Sequence, residues 1–98
     1  MTIRKTQNES ALTVALEGRL DTLTAPELEK DLQTSLAGVT SLTLDLEKLE
    51  YISSAGLRVL LSAQKIMNRV GEMKVCHVNE TVAEIFEVTG FSDILTIE

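Results

Sequence analysis

Apolar and polar residues alternate over several short stretches of the chain. In one of them Leu12, Val14 and Leu16 point to one face of an extended strand, and a mixed set of residues points to the other. Because only one face is consistently apolar, we expect a sheet that is fully covered on one side only. The same reading predicts five strands, the last short and at an edge: Ile3–Gln7, Ala11–Glu17, Ser41–Leu46, Met73–Val78 and Ile94–Ile97.

The first helix is predicted where the apolar spacing changes from two residues to four. It begins near Thr24, and Thr24 and Glu27 fit the two ends of a capping box. Gly38 lies just past its end, as a C-terminal cap does. Its buried stripe consists of leucines at every fourth position, namely Leu28, Leu32 and Leu36.

Two more helices are predicted in the second half of the chain. The longer runs from Ala55 to about Val70, where Gly71 stops it. The shorter begins after Asn79, a good N-cap residue, and is ended by Gly90.

The predicted elements follow the order β-β-α-β-α-β-α-β. An opening hairpin across Asn8-Glu9-Ser10 is antiparallel, whereas strand–helix–strand units require parallel pairs with right-handed crossovers. Ninety-eight residues suit one compact domain. We therefore predict a single α/β domain over residues 1–98, with a mixed four- to five-stranded sheet and helices packed mainly on one face.

The junction between the third strand and the second helix carries two adjacent serines, Ser53 and Ser54. We predict that Ser54 is the N-cap of the helix, because the helical spacing begins at Ala55. A cap hydroxyl beside small residues is open to an approaching molecule, and a helix amino terminus favours negative charge. A phosphate on Ser54 could therefore be held by backbone amides.

The second helix carries two apolar residues, Leu57 and Leu61, beside its main apolar face. This pair either covers another helix of the same domain or forms a partner-facing patch next to Ser54. The pattern leaves both possibilities open.

Charge and composition narrow the class of protein. Nine Lys and Arg against fifteen Asp and Glu give a net charge of −6, which argues against a general nucleic-acid binder. No apolar run is long enough to cross a bilayer, and the amino terminus lacks the apolar stretch of a secretory signal. With a lone cysteine, Cys76, these features favour a cytoplasmic protein without direct membrane insertion.

Sequence signatures of catalysis are missing. The chain has no G-x-x-x-x-G-K-[ST] phosphate loop, no G-x-G-x-x-G, and no second histidine to serve Ser54 as a base. His77 is expected to be half-buried in a strand, where it and Cys76 would face opposite ways and not share a metal. Asp45 is expected near the carboxyl end of a strand but lacks the acidic pair of a phosphoaccepting site. We expect no enzyme activity, no cofactor and no metal.

Several segments together resemble one family. Y-I-S-S-A-G-L-R-V-L-L is similar to the phosphoserine loop and following helix of STAS-domain anti-sigma factor antagonists. The resemblance extends to G-R-L-D-T, T-A-P-E-L, L-D-L-E-K-L and V-T-G-F, in the expected order over nearly the whole chain. It implies a small cytoplasmic protein that binds an ATP-dependent anti-sigma factor serine kinase and so frees a sigma factor. The kinase phosphorylates the loop serine and a phosphoserine phosphatase reverses the reaction.

The resemblance assigns Ser54 as the phosphoacceptor, Gly56 as the glycine beside it and Asp21 as the acidic residue of the facing loop. Many members have aspartate directly before the phosphoserine, where this chain has Ser53. We favour Ser54 over Ser53 because Ser54 fits the predicted cap position. The predicted partner-binding residues are Asp21, Thr22, Ser53, Ser54, Ala55, Gly56, Leu57, Arg58 and Leu61.

Two other functions fit the same pattern. The chain could be a STAS subunit of a membrane transport complex that binds an ATPase and is never phosphorylated. It could also be an enzyme or small-molecule sensor that uses the serine loop as an anion site. Self-association as a weak dimer through an exposed edge strand is left open beside a monomer.

Overall fold

The computed structural model describes residues 1–98 and has four strands, three helices and one short 3₁₀ helix. None of the helices combines the length and the apolar composition that crossing a bilayer requires. In chain order the elements are β1 (Thr2–Asn8), β2 (Ala11–Leu20), α1 (Ala25–Ser35), β3 (Ser41–Ile52), α2 (Ser54–Val70), β4 (Glu72–Cys76), α3 (Glu80–Val88) and the 3₁₀ helix Phe91–Asp93.

The strands form one mixed sheet in the order β1-β2-β3-β4. β1 pairs antiparallel with β2 through a tight turn at Glu9, whose φ is +58°. β2 pairs parallel with β3, and β3 parallel with β4, so α1 and α2 are crossover helices. The predicted α/β class and mixed sheet are confirmed.

The core lies on one face of the sheet. The inward-pointing leucines of β2 and β3 are almost completely buried and join α1, α2 and α3 in a single apolar cluster. The opposite face carries Ala15, Thr43 and Asp45, which are partly exposed. One face is thus packed by helices and the other is open, as the alternation predicts.

Two strands are longer than the sequence pattern indicates. β2 was expected to end at Glu17 and continues to Leu20, and β3 was expected to end at Leu46 and continues to Ile52. The register between them shifts twice, once between Ala15 and Glu17 and again at Gly18 and Arg19. Such bulges interrupt the alternation of apolar and polar residues along the strand. The backbone pairing of β2 with β3 continues beyond them, so the strands extend past the point where the sequence pattern ends. Asp45 consequently lies in the middle of β3 and not near its end.

The expected fifth strand at Ile94–Ile97 is reduced to a single bridge between Ile97 and Val75. Two backbone hydrogen bonds hold it, from Val75 N–H to Thr96 O at 2.8 Å and from Glu98 N–H to Val75 O at 2.9 Å. The chain leaves the 3₁₀ helix only at Asp93, so few residues remain to extend the pairing.

The predicted capping box of α1 is wrong, although Thr24 is the N-cap. Its side chain caps no helix amide; the hydroxyl donates to Arg19 O at 2.7 Å and accepts from Asp21 N–H at 2.8 Å. The hydroxyl is thus used by the turn that precedes the helix. By contrast, Asn79 caps α3 as predicted and accepts from Val82 N–H at 2.9 Å.

His77 is not a half-buried strand residue. β4 ends at Cys76, and His77 has a φ of +57° with an exposed ring. The left-handed conformation ends the strand alternation, so the rule that adjacent side chains face opposite ways does not apply to Cys76 and His77.

Candidate functional site at the ends of β2 and β3

The Asp21 turn and the two serines lie side by side at one edge of the sheet. Because β2 and β3 are parallel neighbours, their carboxyl ends meet at the same edge, with Leu20 opposite Ile52. The Ser53 N–H donates to Leu20 O at 2.8 Å and ties the two chain segments together. The turn that begins at Asp21 therefore lies next to the serine junction.

The N-cap of α2 is Ser53, one residue before the predicted cap. Ser53 has extended backbone angles, and its hydroxyl accepts a hydrogen bond from Gly56 N–H at 3.4 Å. Its carbonyl accepts from Leu57 N–H at 2.9 Å. The cap prediction for Ser54 is wrong because β3 runs up to Ile52, so the helix follows with a single intervening residue.

Ser54 is the first residue of α2 and is exposed. Its hydroxyl makes no hydrogen bond within the chain, in contrast to the hydroxyl of Ser53. The first amides of a helix have no partner inside it, so the N–H groups of Ser54 and Ala55 are available to a ligand. The junction thus presents a free hydroxyl beside unpaired donors at the positive end of a 17-residue helix.

Gly56 allows α2 to begin this close to the sheet. A Cβ atom built there would lie 2.8 Å from Leu20 Cγ, 2.8 Å from Ile52 Cγ1 and 3.0 Å from Leu20 O. Any side chain would push the helix start away from the ends of β2 and β3. Gly56 is buried, so its role is to set the distance between the helix start and the strand ends.

The facing turn is built around the Asp21 carboxylate. Its Oδ1 accepts from Leu23 N–H at 3.0 Å and from Thr24 N–H at 3.2 Å, which is an Asx-type turn. Desolvation acts to raise the pKa of Asp21, but hydrogen bonds from Thr24 and Leu23 and the nearby Arg19 guanidinium outweigh it and leave the pKa below its ordinary value. The turn therefore keeps a fixed negative charge beside the serine junction.

Arg19 connects the Asp21 turn with β3. Its guanidinium lies 3.8 Å from Asp21 Oδ2 and 4.4 Å from the centre of the Tyr51 ring. Arg19 and Tyr51 are register partners on β2 and β3, so the contact follows from the strand pairing. A cation over an aromatic face is a weak attraction at an exposed site, about 0.5–1 kcal/mol.

The predicted partner-binding residues divide into exposed and buried groups. Thr22, Ser54 and Arg58 are exposed, and Asp21, Ser53, Ala55 and Leu61 are partly exposed. Leu57, at 5% exposure, belongs to the core. The side chain of Leu57 is thus unavailable to a partner, and the partner-facing alternative fails for this residue.

Leu23 belongs to the exposed surface of the site and was missed in the sequence. Its side chain is 88% exposed in the Asp21 turn. The sequence signal for Leu23 was an apolar residue in a polar turn, outside the apolar period of both β2 and α1.

A groove of about 380 Å³ runs beside the Asp21 turn, between the starts of α1 and α2. Its lining includes Thr22, Pro26, Ala55 and Arg58.

Comparison with known proteins identifies the family and agrees with the fold. A family model described as the STAS domain matches residues 2–98. BtrV of Bordetella bronchiseptica, whose name assigns it to the anti-sigma factor antagonists, is 37% identical over 91 residues, covering 91% of this chain and 78% of that protein.

Solved structures show the same fold. An anti-sigma factor antagonist from Mycobacterium paratuberculosis superimposes with a TM-score of 0.88 at 22% identity, covering 98% of this chain and 83% of the other. The Bacillus cell fate determinant SpoIIAA in its phosphorylated form superimposes with a TM-score of 0.77 at 17% identity, covering 99% and 91%.

Proposed function

Because this chain belongs to the STAS domain family and to its anti-sigma factor antagonists, we propose that it binds an anti-sigma factor serine kinase and that phosphorylation of Ser54 ends the binding. The proposed unit is a single STAS domain over residues 1–98. Its role is to bind and not to catalyse, and it acts in the cytoplasm, where sigma factors meet RNA polymerase. The partners are the ATP-dependent kinase and a phosphatase that restores the serine.

The observation that supports this proposal is the state of the Ser54 hydroxyl. It is exposed at the first position of α2 and makes no hydrogen bond within the chain. Ser53, by contrast, uses its hydroxyl to cap the helix. Phosphorylation of Ser53 would place a bulky dianion on an atom that the folded junction needs, so Ser54 is the better acceptor. This argument replaces the cap-based reason for choosing Ser54.

A phosphate on Ser54 would have favourable local surroundings. It carries about −1.5 to −2 charges at neutral pH and would lie next to the unpaired amides of the α2 amino terminus. A Bacillus protein of the same fold has been solved in a phosphorylated form. The switch need not unfold the domain, since the new charge is held where the helix favours it.

The same phosphate would oppose docking. Asp21 already places an ionised carboxylate on the facing turn, and a dianion beside it makes the surface strongly negative. A partner that fits the uncharged hydroxyl would then have to desolvate the phosphate or face like charges. A loss of about 3 kcal/mol of binding free energy, roughly a hundredfold in Kd, is enough to release it.

We propose a docking surface formed by Asp21, Thr22, Leu23, Ser54 and Arg58. It contains one apolar side chain, one cation and one anion around the hydroxyl, all on the two adjacent chain segments. Leu61 lies farther along α2 and is partly exposed, so it would contribute at the rim. Ser53, Ala55 and Gly56 would act by shaping the junction, and Leu57 by supporting it from the core.

The first experiment locates the phosphate. The chain is incubated with ATP and the candidate anti-sigma kinase from the same organism, and the modified residue is identified by mass spectrometry. We expect one phosphate on Ser54, none in Ser54→Ala, and continued modification of Ser53→Ala. Phosphate on Ser53 would contradict the proposal. So would a chain that the kinase does not modify at all, and that result would favour the role as a subunit of a transport complex.

The second experiment separates charge from shape. Affinity for the same kinase is compared for wild type, Ser54→Asp and Ser54→Asn, which differ at this position in charge but little in size. Ser54→Asp should bind at least about tenfold more weakly, equivalent to 1.4 kcal/mol, and Ser54→Asn should stay within about threefold of wild type. Equal affinity of the Asp and Asn variants would show that charge at this position does not control docking.

A further inference from the structure

A second group of reactive side chains lies away from the serine junction. Asp45 is in the middle of β3 on the open face of the sheet, and its register partner on β4 is Cys76. His77 follows directly after Cys76. Ser53 lies eight positions after Asp45, about 25 Å along an extended chain, so this group is not part of the docking surface.

The backbone brings three different donor atoms together. His77 has a φ of +57°, and this turn brings its ring back to the side of Cys76. His77 Nδ1 lies 3.0 Å from Asp45 Oδ1 and 3.6 Å from Cys76 Sγ. The ligand atoms of the three residues all lie within 4.8 Å of one another.

Two of these separations are close to the edges of a tetrahedral zinc site. With Zn–N and Zn–O near 2.0–2.1 Å and Zn–S near 2.3 Å, tetrahedral ligands lie about 3.3 Å apart for N and O and about 3.6 Å apart for S and either N or O. The observed 3.0 Å and 3.6 Å are close to these values. The Asp45 oxygen and the Cys76 sulfur lie within 4.8 Å of each other and would approach about 3.6 Å by side-chain rotation when the ion binds. Thiolate, imidazole and carboxylate are also the three ligand types that zinc uses in proteins.

The electrostatic surroundings favour a cation at this position. The carboxylates of Asp45, Glu98 and Glu47 all lie close enough to Cys76 to act on its thiol. A divalent cation would offset this surrounding negative charge and stabilise the thiolate.

From this geometry we propose that Asp45, Cys76 and His77 form a binding site for Zn²⁺ on the open face of the sheet. Asp45 supplies a carboxylate oxygen, Cys76 a thiolate and His77 its Nδ1, with the remaining ring proton on Nε2. Binding releases the thiol proton to solvent and displaces the Nδ1 proton that His77 donates to Asp45. A neutral imidazole regains that proton at Nε2, and an imidazolium loses it to solvent. The fourth position is left to water. With the His77 ring exposed, an ion reaches the site without opening the core.

The first test uses the wild-type protein, whose single cysteine makes thiol chemistry specific to this site. Titration with Co²⁺, a spectroscopic substitute for zinc, should produce one equivalent of a thiolate-to-metal charge-transfer band that Zn²⁺ then abolishes. One equivalent of Zn²⁺ should also slow alkylation of Cys76 by at least about tenfold. A Co²⁺ spectrum without a thiolate band, together with unprotected Cys76, would overturn the proposal.

The second test uses single substitutions. Cys76→Ser, His77→Ala and Asp45→Asn should each weaken Zn²⁺ binding by about a hundredfold or more, because even second-shell changes cost tenfold to a hundredfold. Asp93→Asn removes the same charge from an exposed residue outside the group and should leave the affinity unchanged. Equal Zn²⁺ affinity of Asp45→Asn, His77→Ala and Asp93→Asn would show that the metal binds elsewhere.

Metal-free unfolding curves accompany these titrations. They identify any variant that no longer folds, and in that case the thiol protection and cobalt spectrum of the wild-type protein decide the question. Neither readout involves the kinase or Ser54, so failure of the metal proposal leaves the proposed function intact, and the reverse also holds.

Discussion

The Ser53 N–H donates a 2.8 Å hydrogen bond to the carbonyl oxygen of Leu20 and so joins the end of β3 to the end of β2. This bond fixes the distance between the Asp21 turn and the start of α2. It also determines which serine caps the helix, because Ser53 is held in an extended conformation and Ser54 begins the helix. The free hydroxyl of Ser54 is a consequence of that pairing.

Ser53→Ala should destabilise the domain more than Ser54→Ala. Loss of an N-cap hydroxyl costs about 1 kcal/mol of unfolding free energy, whereas an exposed serine at the first helical position should change it by no more than about 0.5 kcal/mol. Urea unfolding of the two variants measures the difference. A larger loss for Ser54→Ala would place the cap at Ser54 after all.

Gly56→Ala should destabilise the domain, because overpacking in a filled core costs about 1–3 kcal/mol. Its new methyl group would lie 2.8 Å from Leu20 Cγ and Ile52 Cγ1 and 3.0 Å from Leu20 O, a backbone atom that cannot move without shifting the strand end. A gain of about 1 kcal/mol in helix propensity offsets part of this cost, so the net loss should be up to about 2 kcal/mol. Ser62→Ala, on the exposed side of α2, is the control and should be nearly neutral. A Gly56→Ala protein as stable as the wild type would contradict the close approach.

Asn79→Ala should cost about 2 kcal/mol, because two hydrogen bonds are lost together. Asn79 Oδ1 caps α3, and its Nδ2 donates to Leu49 O at 2.7 Å across the core edge. Asn79→Ser keeps a cap acceptor and loses the donor, so its stability should lie between those of wild type and Asn79→Ala. Chemical denaturation of the three proteins gives the order. Equal losses for Ser and Ala would mean that the cap contributes nothing.

The pair Lys5 and Asp31 should make stability depend on pH below neutrality. The two side chains are 2.8 Å apart and connect β1 to α1. The Lys5 hydrogen bond lowers the pKa of Asp31 beneath its usual 3.8, with help from Ser35. A depressed carboxyl pKa contributes stability above the unfolded-state value, and this contribution disappears as the pH falls through the folded-state value.

Asp31→Asn should therefore lower the unfolding free energy by about 0.5–1 kcal/mol at pH 7 and by much less near pH 2. Urea curves at both pH values test this. Lys5→Ala and the double variant complete a cycle at pH 7 in which the single effects should not add. Strictly additive losses would show that the two charges do not interact in solution.

Some of the architecture follows from local patterns. The alternation of Leu12, Val14 and Leu16 identified β2 and its buried face, and the spacing of Leu28 and Leu32 identified α1. Asn79 was recognisable as a cap because its side chain acts on the amide three residues later in the same segment. In each case the deciding interactions lie within one element or its immediate flank.

The errors arise where contacts outside the element itself decide the structure. Thr24 looked like one end of a capping box, but its hydroxyl bonds within the Asp21 turn. Leu57 could have faced a partner, and packing placed it in the core. The expected strand at Ile94–Ile97 is reduced to one bridge with Val75, because the 3₁₀ helix occupies the chain up to Asp93. Secondary-structure propensity limits the conformations that a segment can adopt, and contacts with the rest of the chain determine which of them forms.

The sequence by itself determined the class of fold, the covered face of the sheet and the two segments that meet at the serine junction. The apolar periodicity that identifies a strand or helix is a local property, and neighbouring parallel strands end at the same edge of a sheet. Only the tertiary structure decided which serine has the free hydroxyl, since the bond from Ser53 to Leu20 spans more than thirty residues. It alone also brought His77 to Asp45, because a single left-handed residue reverses a side-chain direction that strand alternation would have set the other way.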